Sequence, residues 1–254
     1  MNLDIHQKRF IKIVEELSYN RSHAFRDWCE LSALALANSI PLFSSEWHER
    51  EKRYADLIKH YTPQEVVLLT EMLSCIIYSL TDGNKINFHD CLGEIHMTDE
   101  ITGRSKWDND VIFTPFHISK LMATLTFADA KIPDKGYITV CEPASGSGST
   151  IIAGCSVLEG FGIHFQKQMH VTAVEIRPMI AHMAFIQLAL LHVPAIVIHG
   201  DSLSQKAWTV WKTPAHVLGF WDARLRRDAS TESATDMHTI QTAFDFAIPV
   251  ARRV

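Results

Sequence analysis

The stretch that most constrains this chain is "YITVCEPASGSGSTIIAGCSVLEG", residues 137–160. A β-branched run ends in an acid and a proline. Gly146 and Gly148 follow, and then an apolar run that predicts a helix. A strand feeding a glycine turn and then a helix lets backbone come close to a ligand, and the helix N-terminus adds a partial positive field. The pattern then repeats. "HVTAVEI" predicts a second strand, Pro178 opens the apolar helix "PMIAHMAFIQLALLH", and "AIVIHG" predicts a third strand. Strand and helix alternating twice predict a parallel sheet with right-handed crossovers. Sheets of that kind bind ligands outside the carboxyl ends of their strands.

Two ligand families use such a turn. A dinucleotide site wants G-x-G-x-x-G, and here Ile151 takes the place of the third glycine. Its bulk opposes close helix–strand packing, so the dinucleotide reading is disfavoured. Taken alone, the stretch is also compatible with a glycine turn that holds nothing. The later strand ends narrow the choice. Glu175 closes the second strand and Asp201 the third, so with Glu142 three acids stand at three successive strand ends. An acid at the second position can accept from both hydroxyls of a ribose. One at the third can accept from an adenine amino group. A single acid at a strand end is ordinarily solvated and idle; an ordered set along one crevice points to a ligand.

Upstream, residues 5–80 read as helices. Phe10, Ile11, Ile13, Val14 and Leu17 make one stripe at helical spacing. Thr62, Pro63 and Glu65 form a capping-box start, and Ser44 or Ser45 is positioned to cap the helix before it. "TDGN" at 81–84 predicts a turn, "TGRSKWDND" a loop and "TPFHISKLMATLTF" a helix. The division predicted is an all-helical N-terminal domain over 1–87 and an α/β domain over 88–254. Past residue 203 the pattern weakens: "PAHVLGFWD" and "FDFAI" read as strands, and "RRDASTESATDMH" as a polar loop.

Bulk properties exclude several function classes. At 254 residues and 47% hydrophobic content the chain can bury a sizeable core. The net charge of −5 argues against strong DNA binding by this chain alone, since phosphate contacts supply much of such affinity. Five cysteines without a CxxC pair read as free thiols of a reducing compartment. No segment approaches a membrane span and the start does not read as a signal peptide, so a soluble, cytoplasmic protein is expected. Fourteen histidines form no metal-ligand spacing, so no metal is expected. The charge run over 49–60 reads as a solvated helix face.

The segments "DCLGEIHM", "FTPFHISKLM", "CEPASGSG", "AVEIRP" and "HGDSL" occur in that order between residues 88 and 203. In this the chain resembles the S-adenosylmethionine-dependent DNA adenine N6-methyltransferases, above all the modification subunits of type I restriction systems and related orphan methylases. The resemblance implies a prokaryotic restriction-modification setting and a Rossmann-like methyltransferase sheet, truncated here, preceded by helices. It implies S-adenosyl-L-methionine as cofactor. Thr114 and Pro115 would line its methionine end, and Glu142, Ala144, Gly146 and Gly148 would surround its amino acid moiety. Glu175 would hold the ribose, Ile176 would pack on the adenine, and Asp201 and Ser202 would lie near the adenine amino group.

The family's N/D-P-P-Y/F tetrapeptide, which receives the flipped adenine, has no counterpart in the sequence. Trp221 for stacking and Asp222 as acceptor are the substitutes the tail offers. Residues after 203 carry seven Lys/Arg against five Asp/Glu, too small an excess for a DNA groove. Two readings therefore stand: an adenine N6-methyltransferase, helped by a protein partner that supplies target recognition, or a degenerate methylase-like protein that acts by cofactor binding or protein interaction.

Overall fold

The computed structural model describes residues 3–17, 21–40, 46–98, 101 and 112–229. The chain opens with four helices: α1 (Ile5–Glu16), α2 (Arg21–Ala37), α3 (Trp47–Ile58) and α4 (Pro63–Ser79). Asp4 starts α1, its side chain accepting from the N–H groups of His6 and Gln7. Thr62 and Glu65 start α4 with the reciprocal bonds their spacing predicts. Ser44 and Ser45 lie outside the described residues. The apolar stripe of α1 is buried, and Phe10 meets Trp28 of α2 edge-on at 4.8 Å. The Trp28 indole N–H donates to the Leu69 carbonyl of α4 at 3.0 Å, so the ring is buried without an orphaned donor. On α3 the charge run is a solvated face, with Arg53 paired to Glu30 and Lys59 to Asp56.

A two-residue hairpin, β1 (Thr81–Asp82) and β2 (Lys85–Ile86), follows at the predicted turn. Next come α5 (Cys91–His96) and α6 (Phe116–Thr126). The "TGRSKWDND" segment lies outside the described residues. From there the alternation appears as expected: β3 (Ile138–Glu142), α7 (Ser149–Gly160), the one-turn α8 (Phe165–Gln168), β4 (Met169–Glu175), α9 (Pro178–Leu190) and β5 (Ala195–Asp201). The strands β3, β4 and β5 are adjacent and parallel. Because the order advances in one direction, two right-handed crossovers put α7 and α9 on the same face of the sheet.

That face carries the core. Val171, Ala173, Ala195 and Val197 point into one apolar cluster with α7, α9 and the N-terminal helices. Every residue from Ile180 to Ala189 is buried, as befits a helix apolar on all sides. Helix α9 lies between the sheet and α2. A single hydrophobic cluster, from Phe10 to Trp211, therefore spans the expected boundary at residue 87.

Two expectations for the tail are corrected. The sheet is mixed, not purely parallel: β6 (Lys206–Lys212) turns back on β5 as an antiparallel strand, with a register shift between His199 and Gly200. "PAHVLGFWD" is helical, not a strand. Thr213 caps α10 (Pro214–Leu218) by accepting from the His216 N–H, and Pro214 suits the first turn. Helix α11 (Trp221–Ala229) follows, and the predicted strand at 244–248 lies outside the described residues. Among the described residues no helix is long and apolar enough to cross a membrane. All five cysteines are free; four are buried and Cys141 is exposed.

Candidate functional site

Strand β3 delivers the chain to the glycine loop through Glu142. One oxygen of this carboxylate accepts from the Ala144 N–H at 3.3 Å and the other from the Thr150 hydroxyl at 3.0 Å. It thus joins the start of the loop to the first turn of α7. The Ser145 N–H donates to the Val174 carbonyl at 2.9 Å, tying the loop to β4. Gly146 and Gly148 have φ of +54° and +99°, where a side chain would be strained. Gly148 is the N-cap of α7, so the loop presents its backbone at a helix N-terminus. Ile151, the residue that disfavoured a dinucleotide, is buried in the core.

The strand register sets the three acids in a diagonal row. Glu142 pairs with Ala173, two residues before Glu175, and Glu175 pairs with His199, two residues before Asp201. Residues two apart on a strand, or directly opposite across it, share a face, so all three acids lie on the helix-covered face. Each step climbs about 6–7 Å along the strands. Glu175 accepts from the Gly146 N–H at 3.1 Å and from the Arg177 N–H at 2.8 Å. A carboxylate has about four lone-pair sites, so acceptor capacity remains for a ligand. Ile176 beside it is 56% exposed, which leaves it free to cover a flat ring. Asp201 is bound differently. Its oxygens accept from the Leu203 and Ser204 N–H groups and the Ser204 hydroxyl, so it stabilises the β5–β6 turn, with Ser202 inside that turn. Those bonds hold the Asp201 carboxyl below its usual range.

Thr114 and Pro115 are exposed just before α6. The Thr114 carbonyl accepts from the Ser149 hydroxyl at 3.4 Å, which brings the Thr-Pro segment to the start of α7. Ala144 is exposed on the loop. Ten of the residues singled out in the sequence therefore gather around one loop and three strand ends.

Other neighbours were not anticipated. The Phe113 ring closes over Gly146, 3.3 Å from where a Cβ would stand. His199 and Trp208 lie with ring centroids 4.7 Å apart beside the end of β5, and Trp208 is 43% exposed. Burial lowers the His199 pKa, opposed by a bond to the Ile176 backbone. An aromatic directly before Thr-Pro was the only signal for Phe113; His199 stands on the predicted strand β5, and Trp208 reaches it through the unexpected strand β6.

Trp221 and Asp222 do not belong to this site. Trp221 is 1% exposed and packs edge-on against Tyr137 at 4.8 Å, next to His170. Tyr137 immediately precedes β3, so Trp221 is at the head of the strand, about 16 Å from its glycine end at 3.3 Å per residue. Asp222 is paired with Lys212 at 2.7 Å and lies 3.2 Å from His216 Nε2. Trp221 is therefore a core ring and Asp222 its polar neighbour, and neither can meet a base held at the loop.

Among the described residues no three His, Cys, Asp or Glu side chains cluster as a metal site. Instead the crevice sets N–H donors of a helix-opening loop beside a row of carboxylates. A family model described as N-6 DNA methylase matches residues 90–220, more than half of the chain. The chain belongs to that family, whose cofactor is S-adenosylmethionine. No curated protein matches the sequence. The backbone is similar to that of a Listeria monocytogenes protein described as a candidate class I S-adenosylmethionine-dependent methyltransferase. The TM-score is 0.45 and the identity 15%, over 78% of this chain and 54% of that one. This chain thus spans about half the length of that protein.

Proposed function

We propose that the crevice at the ends of β3, β4 and β5 binds S-adenosylmethionine and that the chain serves methyl transfer to the N6 amino group of adenine in DNA. The observation that carries this reading is the glycine loop, bracketed by Glu142 and Glu175, with exposed Ile176 next to the second acid. The donor set suits the cofactor. Loop N–H groups at the start of α7 match its carboxylate, and the acid side chains match its ammonium and ribose hydroxyls. In this arrangement Thr114, Pro115, Glu142, Ala144, Gly146 and Gly148 surround the methionine end. Glu175 takes the ribose, Ile176 covers the adenine, and Asp201 and Ser202 border its amino edge. The bound cofactor supplies an electrophilic methyl group.

The chain's own part is to bind and orient. Glu175 fixes the Gly146 end of the loop and the sugar together, and Phe113 shields the loop from water over Gly146. The adenine to be modified must leave the duplex before its amino group can reach a methyl donor. With a net charge of −5, this chain engages DNA weakly by itself, and a protein partner supplies target recognition in a restriction-modification setting of the prokaryotic cytoplasm. Residues 1–87 form the scaffold unit that supports the cofactor domain.

Titration calorimetry with S-adenosylhomocysteine tests the binding step. Mass spectrometry of N6-methyladenine in DNA from cells with and without the gene tests the transfer. A folded protein with no measurable heat of binding overturns the cofactor reading. Binding with unchanged N6-methyladenine overturns the transfer and favours the degenerate alternative.

A further inference from the structure

Beneath the glycine loop lies a closed ring of hydrogen bonds joining three segments distant in sequence. Asp90, Ser147 and Gln187 are 4%, 1% and 0% exposed. Asp90 Oδ1 accepts from the Gly93 N–H at 3.0 Å and from Gln187 Nε2 at 2.9 Å. Asp90 Oδ2 accepts from the Ser147 hydroxyl. Gln187 Nε2 also donates to the Ser147 carbonyl at 2.8 Å, and Gln187 Oε1 accepts from the Leu92 N–H at 3.1 Å. Ser147 is thus gripped by both its side chain and its carbonyl, and it is the residue between the two glycines of positive φ.

From this geometry we infer that Asp90 and Gln187 are positioning residues that fix the shape of the glycine loop and thereby set cofactor affinity, an inference that rests on the cofactor reading above. A loop with two glycines is costly to order on binding, because glycine loses more backbone freedom than any other residue. A clamp that orders the loop beforehand removes that cost from the binding step. The Ser147 side chain is itself buried, so it acts on a ligand only through the backbone it holds.

The network also accounts for the spacing of Asp90 and Gly93. A Cβ on residue 93 would collide with the Asp90 carboxylate, so only glycine leaves the acid in place. Burial pushes the Asp90 carboxyl up, while Gln187, Ser147 and the Gly93 N–H pull it down. All three of these bonds point donors at the oxygens, and the acid sits at the N-cap of α5 with its Ser147 partner two residues before α7, where helix N-termini favour negative charge.

The test uses the full chain and two measurements. Amide hydrogen exchange over 144–148 without ligand reads the loop, and calorimetry with S-adenosylhomocysteine reads the site. Ser147→Ala and Asp90→Ala should speed exchange of the loop and weaken binding by about tenfold, the loss of a hydrogen bond to a charged group. Asp90→Asn should restore most of both, since an amide can accept from Gly93 and Gln187 and donate to the Ser147 oxygen. Thr213→Ala is the control: it removes buried hydrogen bonds at the far end of the sheet. It should lower the melting temperature and leave loop exchange and affinity unchanged. Ser147→Ala with a lower melting temperature but wild-type exchange and affinity would overturn the inference, as would an equal loss in Thr213→Ala. If the wild type binds nothing while the variants still loosen the loop, the clamp stands and the cofactor reading falls.

Discussion

The two ends of the parallel strands use similar residues for opposite purposes. At the carboxyl ends, Glu142 and Glu175 bond to backbone N–H groups of a loop and stay partly open to solvent. At the amino ends, Asp222, His216, His170, Trp221 and Tyr137 bond and stack with one another, and all but Asp222 are buried. His170 Nε2 and His216 Nδ1 are 2.9 Å apart, so one must be unprotonated to accept. An acid beside an aromatic ring is therefore not by itself a sign of chemistry. What separates site from scaffold is whether the polar atoms retain capacity for something outside the chain.

The largest test of that contrast is Trp221→Ala. Emptying a site filled by a buried indole should cost about 3–5 kcal/mol of stability, read from chemical denaturation, with cofactor affinity unchanged in the protein that remains folded. A selective loss of binding at unchanged stability would return Trp221 to the site.

Acid should act on the buried histidines next. Burial lowers the pKa of His182 to about 4 and that of His170 well below its ordinary value. Folded His182 then refuses a proton that the unfolded chain accepts near pH 6.5. The stability it protects is full above pH 6.5 and falls as pH drops toward 4, by up to about 3 kcal/mol for His182 alone. His182→Phe should flatten that part of the profile, measured by denaturant titration at several pH values. A profile as steep as wild type would assign the acid sensitivity elsewhere.

Glu175→Ala strikes the other end of the strands. Losing charged hydrogen bonds to a ribose and to Gly146 should weaken S-adenosylhomocysteine by about ten- to a hundredfold, or 1–3 kcal/mol. Stability should change less than in Trp221→Ala. The smallest effect is expected for Asp201→Asn, because the amide oxygen keeps an acceptor for the turn that occupies this side chain. Calorimetry should show an affinity within about threefold of wild type, under 1 kcal/mol. A loss as large as that of Glu175→Ala would mean that Asp201 leaves its turn to meet the ligand.

The sequence made the β3–α7–β4–α9–β5 order legible because each piece carries its own signal. Pro178 starts α9, the glycines end β3, and α9 is apolar all round. Strand β6 was missed because "KAWTVWK" has no glycine or proline turn before it and most of it is exposed; its pairing with β5 defines it. Its aromatic and β-branched residues were the available clue. The row of acids was readable, since strand ends can be counted. Asp90 and Gln187, 97 residues apart, meet only in the folded chain. Trp221 and Asp222 were misplaced because a ring beside an acid looks the same in sequence at either end of a strand.

Among the described residues, the two outer strands of the four-stranded sheet differ in how their borders are dressed. Strand β6 is guarded: Lys206 and Lys212 close its ends, the Arg50 guanidinium reaches the Val210 carbonyl at 3.5 Å, and a register shift bends its pairing. Strand β3 has no basic residue, and Thr139 and Cys141 are exposed on it. Helix α6, which lines a cleft with this strand, turns Ile118, Leu121, Met122 and Leu125 outward at helical spacing. Among the described residues, no strand pairs with the outer side of either border, and only the β3 border has an apolar helix face beside it. A strand that joined at β3 would reverse the order of the sheet next to Gly146, which is where open α/β sheets widen into a ligand crevice.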